Sequence, residues 1–194
     1  MNYLVIAFSL GMLAAIGIQL MLLVTLMTSN DLWPPGEKSW PYYYHWTLVA
    51  IFNVSVLVVS YLDWSTWLLP RPATLVSGLV LTGLGFLIFR RGANPMDSDE
   101  TMGLTGDLYT KGPYAYSRNP QYIGMIIGLI GFLLLVNSIY ISILVIAHIV
   151  WVLLLPFAEE PHLEEEYGTE YKQYQKNTPR FVDHRTFRRL FQDQ

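Results

Sequence analysis

Residues 119–158 read NPQYIGMIIGLIGFLLLVNSIYISILVIAHIVWVLLLPFA, forty positions without an Asp, Glu, Lys or Arg. One helix of that length would reach about 60 Å at 1.5 Å per residue. That is twice the roughly 30 Å of hydrocarbon in a bilayer. The polar pair Asn137-Ser138 lies near the middle, so the run reads as two spans, 121–136 and 139–157, closed into a tight hairpin. Helices are the expected form, because a helix pairs its own backbone groups where lipid offers none.

The pattern repeats upstream. No charge falls within residues 1–30, 41–62 or 72–89, which places further spans at about 4–27, 45–69 and 73–89. Asp63 sits near the end of the second, followed by Trp64 and Trp67, residues suited to an interfacial aromatic belt. The first run has no basic start, a stretch from Leu4 to Met27 that is long for a signal peptide, and no small-residue cleavage site after it; it reads as a retained helix. The expected fold class is all-α. It is a polytopic bundle of about five transmembrane helices, with the last two as a hairpin and a cytosolic C-terminal amphipathic helix, forming one membrane domain over residues 1–194.

Composition agrees. The chain is 53% hydrophobic and 14% charged, against about 25% charged in ordinary soluble domains. With no cysteine, disulfides and thiolate metal sites are excluded. A net charge of −3, without a basic surface interleaved with aromatics, argues against a nucleic-acid partner. His45, His148 and His162 have no metal-ligand spacing. Gly124 and Gly128, with Gly131 close behind, fit close helix packing. Gly78, Gly83 and Gly85 do not form a dinucleotide fingerprint, since no strand precedes them.

Lys38, Arg90, Arg91, Lys111, Arg118 and the six basic residues of the tail fall on one side of a five-span chain, and only Arg71 falls opposite. The positive-inside rule then puts the third loop and the tail in the cytosol and the N-terminus outside.

Two polar clusters flank the hairpin, which brings them to one membrane face. Residues 106–124 read GDLYTKGPYAYSRNPQYIG. Gly112-Pro113 marks a turn, and Pro120 suits the first position of a helix. Arg118 is either a snorkelling topology marker or a fork for a carboxylate or phosphate. Tyr109, Tyr114 and Tyr122 are either belt residues or a platform for a heterocycle. Residues 158–181 read AEEPHLEEEYGTEYKQYQKNTPRF. Glu159 and Glu160 directly follow a span, where a carboxylate is costly unless paired. They serve either a helix start before Pro161 or a cationic ligand such as a sulfonium or ammonium. Leu163, Tyr167, Tyr171 and Tyr174 recur at helical spacing, which leaves Glu164, Glu165, Glu166 and Glu170 on a wet face.

GPYAYSRNPQYIG resembles the GPYxxxRHPxYxG motif of isoprenylcysteine carboxyl methyltransferases, and EEPHLEEEYGTEYKQYQKNTPRF resembles their EExxLxxxFGxxYxxYxxxxPRF. The wider group includes membrane phospholipid N-methyltransferases, and the likeness covers about residues 104–183. It implies a methyltransferase that takes S-adenosylmethionine at the cytosolic face and a lipophilic substrate, prenylated or otherwise, from the bilayer. Carried over by position, Gly106, Asp107, Leu108, Tyr109, Tyr114, Asn119, Pro120, Gln121, Tyr122 and Glu159 are expected at the cofactor, with Arg118, Glu159 and Glu160 as catalytic candidates. Asn119 stands where the motif has histidine and cannot titrate. Leu155 stands about one turn before Glu159, where eukaryotic relatives can carry a substrate-contacting arginine, which weakens a prenylcysteine carboxylate as acceptor. Two other readings compete: an NADPH enzyme similar to sterol reductases, which resemble longer bundles, and a non-catalytic membrane binding protein.

Overall fold

Lipid tails are as apolar as leucine, so helices in a membrane are held by close packing and interhelical hydrogen bonds. The small residues of this chain lie where that requirement is greatest. In the computed structural model, residues 2–28, 30–66 and 69–192 are described. They form α1 (Tyr3–Met27), α2 (Trp40–Leu62), α3 (Ala73–Ala93), a short α4 (Ser98–Thr101), a 3-10 turn at Gly112–Ala115, α5 (Pro120–Val136), α6 (Ile139–Asn177) and α7 (His184–Gln192). α1, α2, α3 and α6 are each long and apolar enough to cross a membrane, and α5 is a shorter apolar helix of 17 residues. At 1.5 Å per residue α5 reaches about 26 Å, the low end of what a span needs. The chain is a multi-pass helical bundle.

The buried face of α1 carries Ala7, Gly11, Ala14, Ala15, Ile18 and Leu22 at helical spacing and packs on α2 and α6. The Gln19 amide donates to the Ala147 carbonyl at 2.9 Å, a polar tie between α1 and α6. α3 lies on α5 through Gly78, Gly85 and Gly92, one every two turns. A Cβ on Gly85 would stand 2.3 Å from the Gly128 nitrogen, and one on Gly124 would stand 2.3 Å from the Phe89 nitrogen. Gly85→Ala should therefore destabilise the bundle by about 1–3 kcal/mol, the usual cost of overpacking. Gly83→Ala, on the same helix but facing open space, should leave the unfolding temperature in detergent unchanged.

The hairpin turns where the sequence indicates. Asn137 caps α5 with φ 53°, in the left-handed region that asparagine tolerates better than most residues. Ser138 Oγ then accepts from the Ile141 N–H at 3.2 Å to start α6. This tip meets the α2–α3 connection: the Ser138 hydroxyl donates to the Asp63 carboxylate at 2.5 Å, and the Asn137 amide donates to the Leu69 carbonyl at 3.2 Å. Asp63 is thus buried against the tip, whereas Trp64 is exposed. Trp67 lies outside the described residues.

The opposite end gathers the other loops. Residues 31–39 lie along residues 94–119, with the Gly36 N–H on the Gly103 carbonyl and the Thr105 N–H on the Gly36 carbonyl, both at 3.2 Å. The Arg118 N–H reaches the Pro179 carbonyl at 2.9 Å, so the tail joins the same end.

Two expectations need correction. The second span is Trp40–Leu62 rather than 45–69, because Asp63 ends the helix. The C-terminal amphipathic helix is not a separate element beginning near Pro161. α6 continues out of the apolar run through Pro156 and Pro161, each forfeiting one ladder bond without ending the helix. It breaks only at Gly168, whose φ 53° and ψ −120° suit glycine alone. The carboxylates after the span therefore ride on a rigid extension of the membrane helix.

Candidate functional site

At the loop-rich end, α6 beyond Ala158, the start of α5, and the loops 31–39 and 94–119 enclose a cavity of about 180 Å³. One water needs only some 10–15 Å³ measured this way, so the space suits an organic ligand. Its wall includes Trp33, Gly106 to Tyr109, Tyr114, Arg118, Asn119, Gln121, Tyr122, Glu159, Glu160, His162, Leu163 and Glu166.

Glu159 and Glu160 are neighbours in sequence on one helix and have opposite surroundings. The Glu159 carboxylate accepts from the Tyr122 hydroxyl at 2.6 Å and from the Trp33 indole N–H at 3.0 Å. Among the described residues no cation pairs with it. Burial raises its pKa, the two hydrogen bonds oppose that in part, and the Glu160 charge adds to the rise. Glu160 faces the arginines. Arg180 grips both its oxygens, at 2.8 and 2.5 Å, and Arg118 Nη2 donates to Oε1 at 2.7 Å. Burial alone would raise Glu160, but the hydrogen bonds and charges of Arg180 and Arg118 outweigh it and hold its pKa low. Arg180 also lies over the Phe157 ring at 3.8 Å.

The loop 94–119 is organised by Glu100. It closes a capping box with Asp97 around α4, accepts from the Asp107 N–H at 2.8 Å, and accepts from the Tyr109 hydroxyl at 2.9 Å. Gly106 passes so close that a Cβ there would stand 2.2 Å from the Glu100 carboxylate, so a larger residue would displace the Glu100 side chain. The Tyr167 hydroxyl donates to the Gly106 carbonyl. Behind this wall Tyr114, Tyr171 and Tyr174 pack with Leu108, Tyr109, Leu163 and Tyr167. The Tyr174 hydroxyl donates to the Tyr114 carbonyl at 2.7 Å. The aromatic spacing read from the sequence thus marks a buried face, although Gly168 interrupts the helix that carries it.

All the candidate residues line this cavity except Pro120, which opens α5 against Gly92. Gln121 donates to the Tyr114 hydroxyl at 3.2 Å. The Asn119 amide donates to the Arg180 carbonyl at 3.0 Å, joining the loop to the tail. Arg118 departs from its expected use. Nη2 is taken by Glu160 and Nη1 by the carbonyls of Gln175 and Thr178, which leaves Nε, buried and without a partner. Its fork is therefore not free for an incoming carboxylate. The bidentate grip belongs to Arg180, which stands in the basic tail and in the PRF end of the second motif with no sign there of this role. Glu160 turns away from Glu159 into the ion pairs. Glu166, expected on a wet face, lines the cavity and lies 3.6 Å from His162. Of the other histidines, His148 stacks on Trp151 at 4.1 Å between centroids, as a packed residue would.

Sequence reading passed over Trp33, Glu100 and Arg180. Asp97-x-x-Glu100 carries the capping-box spacing that could have signalled Glu100. Trp33, in a nine-residue loop rich in proline, offers no such signal. It is held by stacking on His45 at 4.1 Å and by the close approach of Gly103.

The family described as phospholipid methyltransferase has a model that matches residues 73–170, just over half of the chain. Neither a curated protein nor a solved structure matches significantly. The matched stretch runs from α3 through α5 and α6 to just past the Gly168 break, and it contains every residue suggested for the cavity from Gly106 to Glu160. With that match over a bundle of membrane-crossing helices, the chain belongs to the phospholipid methyltransferase family and is a membrane methyltransferase acting on lipids.

Proposed function

We propose that the cavity takes S-adenosylmethionine from the cytosol and that the enzyme methylates the amine of an aminolipid head group. The observation that carries this reading is Glu159, a buried carboxylate with two neutral donors and no cationic partner among the described residues. The residues fit the cofactor. An unpaired anion suits a sulfonium, and the tyrosines at 109, 114 and 167 suit a flat base. Bound there, S-adenosylmethionine supplies a methyl group on a positively charged sulfur.

The protein's task is then orientation and proton removal. An ammonium head group must lose a proton before its nitrogen can attack, and a carboxylate with a raised pKa is a suitable acceptor near neutral pH. Glu159 takes that proton, held in place by Tyr122 and Trp33. A carboxylate acceptor, as in the isoprenylcysteine enzymes, would instead need a cation to receive it. Both arginines near the cavity are engaged by Glu160, and Leu155 is buried and apolar.

Vesicles containing the protein, given methyl-labelled S-adenosylmethionine with either phosphatidylethanolamine or an S-farnesyl cysteine, decide the acceptor. Base-stable label in phosphatidylethanolamine is expected; base-labile label confined to the farnesyl cysteine would overturn the amine reading. Protection from thermal unfolding by NADPH and not by S-adenosylmethionine would overturn both. Trp33→Phe keeps the stacking ring and removes the donor. Because that hydrogen bond lowers the Glu159 pKa, its loss should move the acid limb of the pH–rate profile upward while the limiting rate at high pH changes less.

A further inference from the structure

α7 is amphipathic in the opposite sense to a helix on a soluble protein. Its polar side chains face inward: the Thr186 hydroxyl donates to the Tyr116 carbonyl at 2.8 Å, Arg189 donates to the Ala115 carbonyl, and Arg185 donates to the Lys176 carbonyl at 3.0 Å. Its aromatic side chains face outward. Phe187 is 54% exposed and Phe191 76%, with Arg188 exposed between them and Val182 exposed just upstream. A surface helix in water buries its apolar stripe; this one turns that stripe away from the protein. Its position is set by what it grips. Ala115 and Tyr116 lie four or five residues before Pro120, where the apolar α5 begins, so α7 is held beside the start of that apolar helix.

We propose that α7 is an interfacial helix whose outer face, Phe187 and Phe191, inserts into the leaflet at the cavity end, with Arg188 on anionic head groups. Exposed aromatics flanking a basic residue at that position match the chemistry of an acidic lipid surface. The same helix holds the carbonyls of Ala115 and Tyr116, next to Tyr114 of the cavity wall. Insertion thus braces the loop that carries Tyr114. This inference is independent of which donor and acceptor the enzyme uses.

The chain has no cysteine, so Phe191→Cys can carry a single spin label in the full-length protein, with Lys172→Cys as a water-exposed reference. In vesicles of phosphatidylcholine and phosphatidylglycerol, the label at 191 should be more accessible to oxygen than to a water-soluble nickel complex, the reverse of the order at 172. Removing the anionic lipid should reduce that difference. Nickel accessibility at 191 equal to that at 172 would overturn the proposal. So would dipolar broadening that grows with protein density, which would identify a second copy as the occupant. As a check without cysteine, Phe187→Glu with Phe191→Glu should lower methyl transfer in vesicles several-fold and leave the unfolding temperature in detergent unchanged; unaltered transfer in vesicles would count against the bracing of the Tyr114 loop.

Discussion

Glu159→Gln is expected to purify folded and to lose about 10²-fold or more in methyl transfer, the range for removing a general base. Glutamine keeps the size and the acceptor oxygen for Tyr122 and Trp33 but cannot take a proton or face a cation. Stability should move the other way. The folded Glu159 pKa is raised by burial, so its contribution to stability is present below the ordinary carboxylate pKa and is lost as pH rises through the folded value. At neutral pH the buried charge is therefore a cost, and the glutamine variant should unfold at an equal or higher temperature. The wild-type rate should fall as pH drops through the raised pKa, and the variant's residual rate should lose that limb. Rates and unfolding temperatures measured in one detergent check all three. A variant that loses activity and stability together would make Glu159 structural, and near-full activity would rule Glu159 out as the base.

Glu160→Gln is expected to destabilise the protein by about 3–5 kcal/mol, because it leaves two arginines at a buried site without their counter-charge. Glu160 and Arg118 each have side chains only 9% exposed, and Arg180 is 30% exposed. These contacts join α6, the loop before α5 and the tail, so their loss loosens three walls of the cavity at once. The pH dependence is opposite in sign to that of Glu159. A depressed carboxylate pKa contributes stability above the ordinary carboxylate range, and this is lost as pH falls through the folded value. Wild-type unfolding temperature should therefore drop in acid, while the glutamine variant, already lowered at neutral pH, should drop less. Arg118→Lys keeps the charge but loses the fork that spans Glu160 and the carbonyls of Gln175 and Thr178. Its loss of stability should be intermediate.

The sequence by itself determined the membrane class and the hairpin. Charge-free runs of bilayer length favour helices that cross a membrane, and Asn137-Ser138 is where the forty-residue run turns. It also determined that the clusters around Arg118 and Glu159 share one end, because a hairpin returns its two ends to the same face. The roles of neighbouring acids were not legible. Glu159 and Glu160 are the same residue type one position apart, and one helical step of about 100° turns them to different partners. Which one is paired depends on Arg180, twenty residues on, and on a Trp33 delivered from a loop 126 positions upstream of Glu159. The continuity of α6 through two prolines was likewise decided by packing, since local propensity there favours a stop. Periodicity reports which face of a segment is buried; what that face meets is set by contacts between residues far apart in the chain, and only the tertiary structure supplies those.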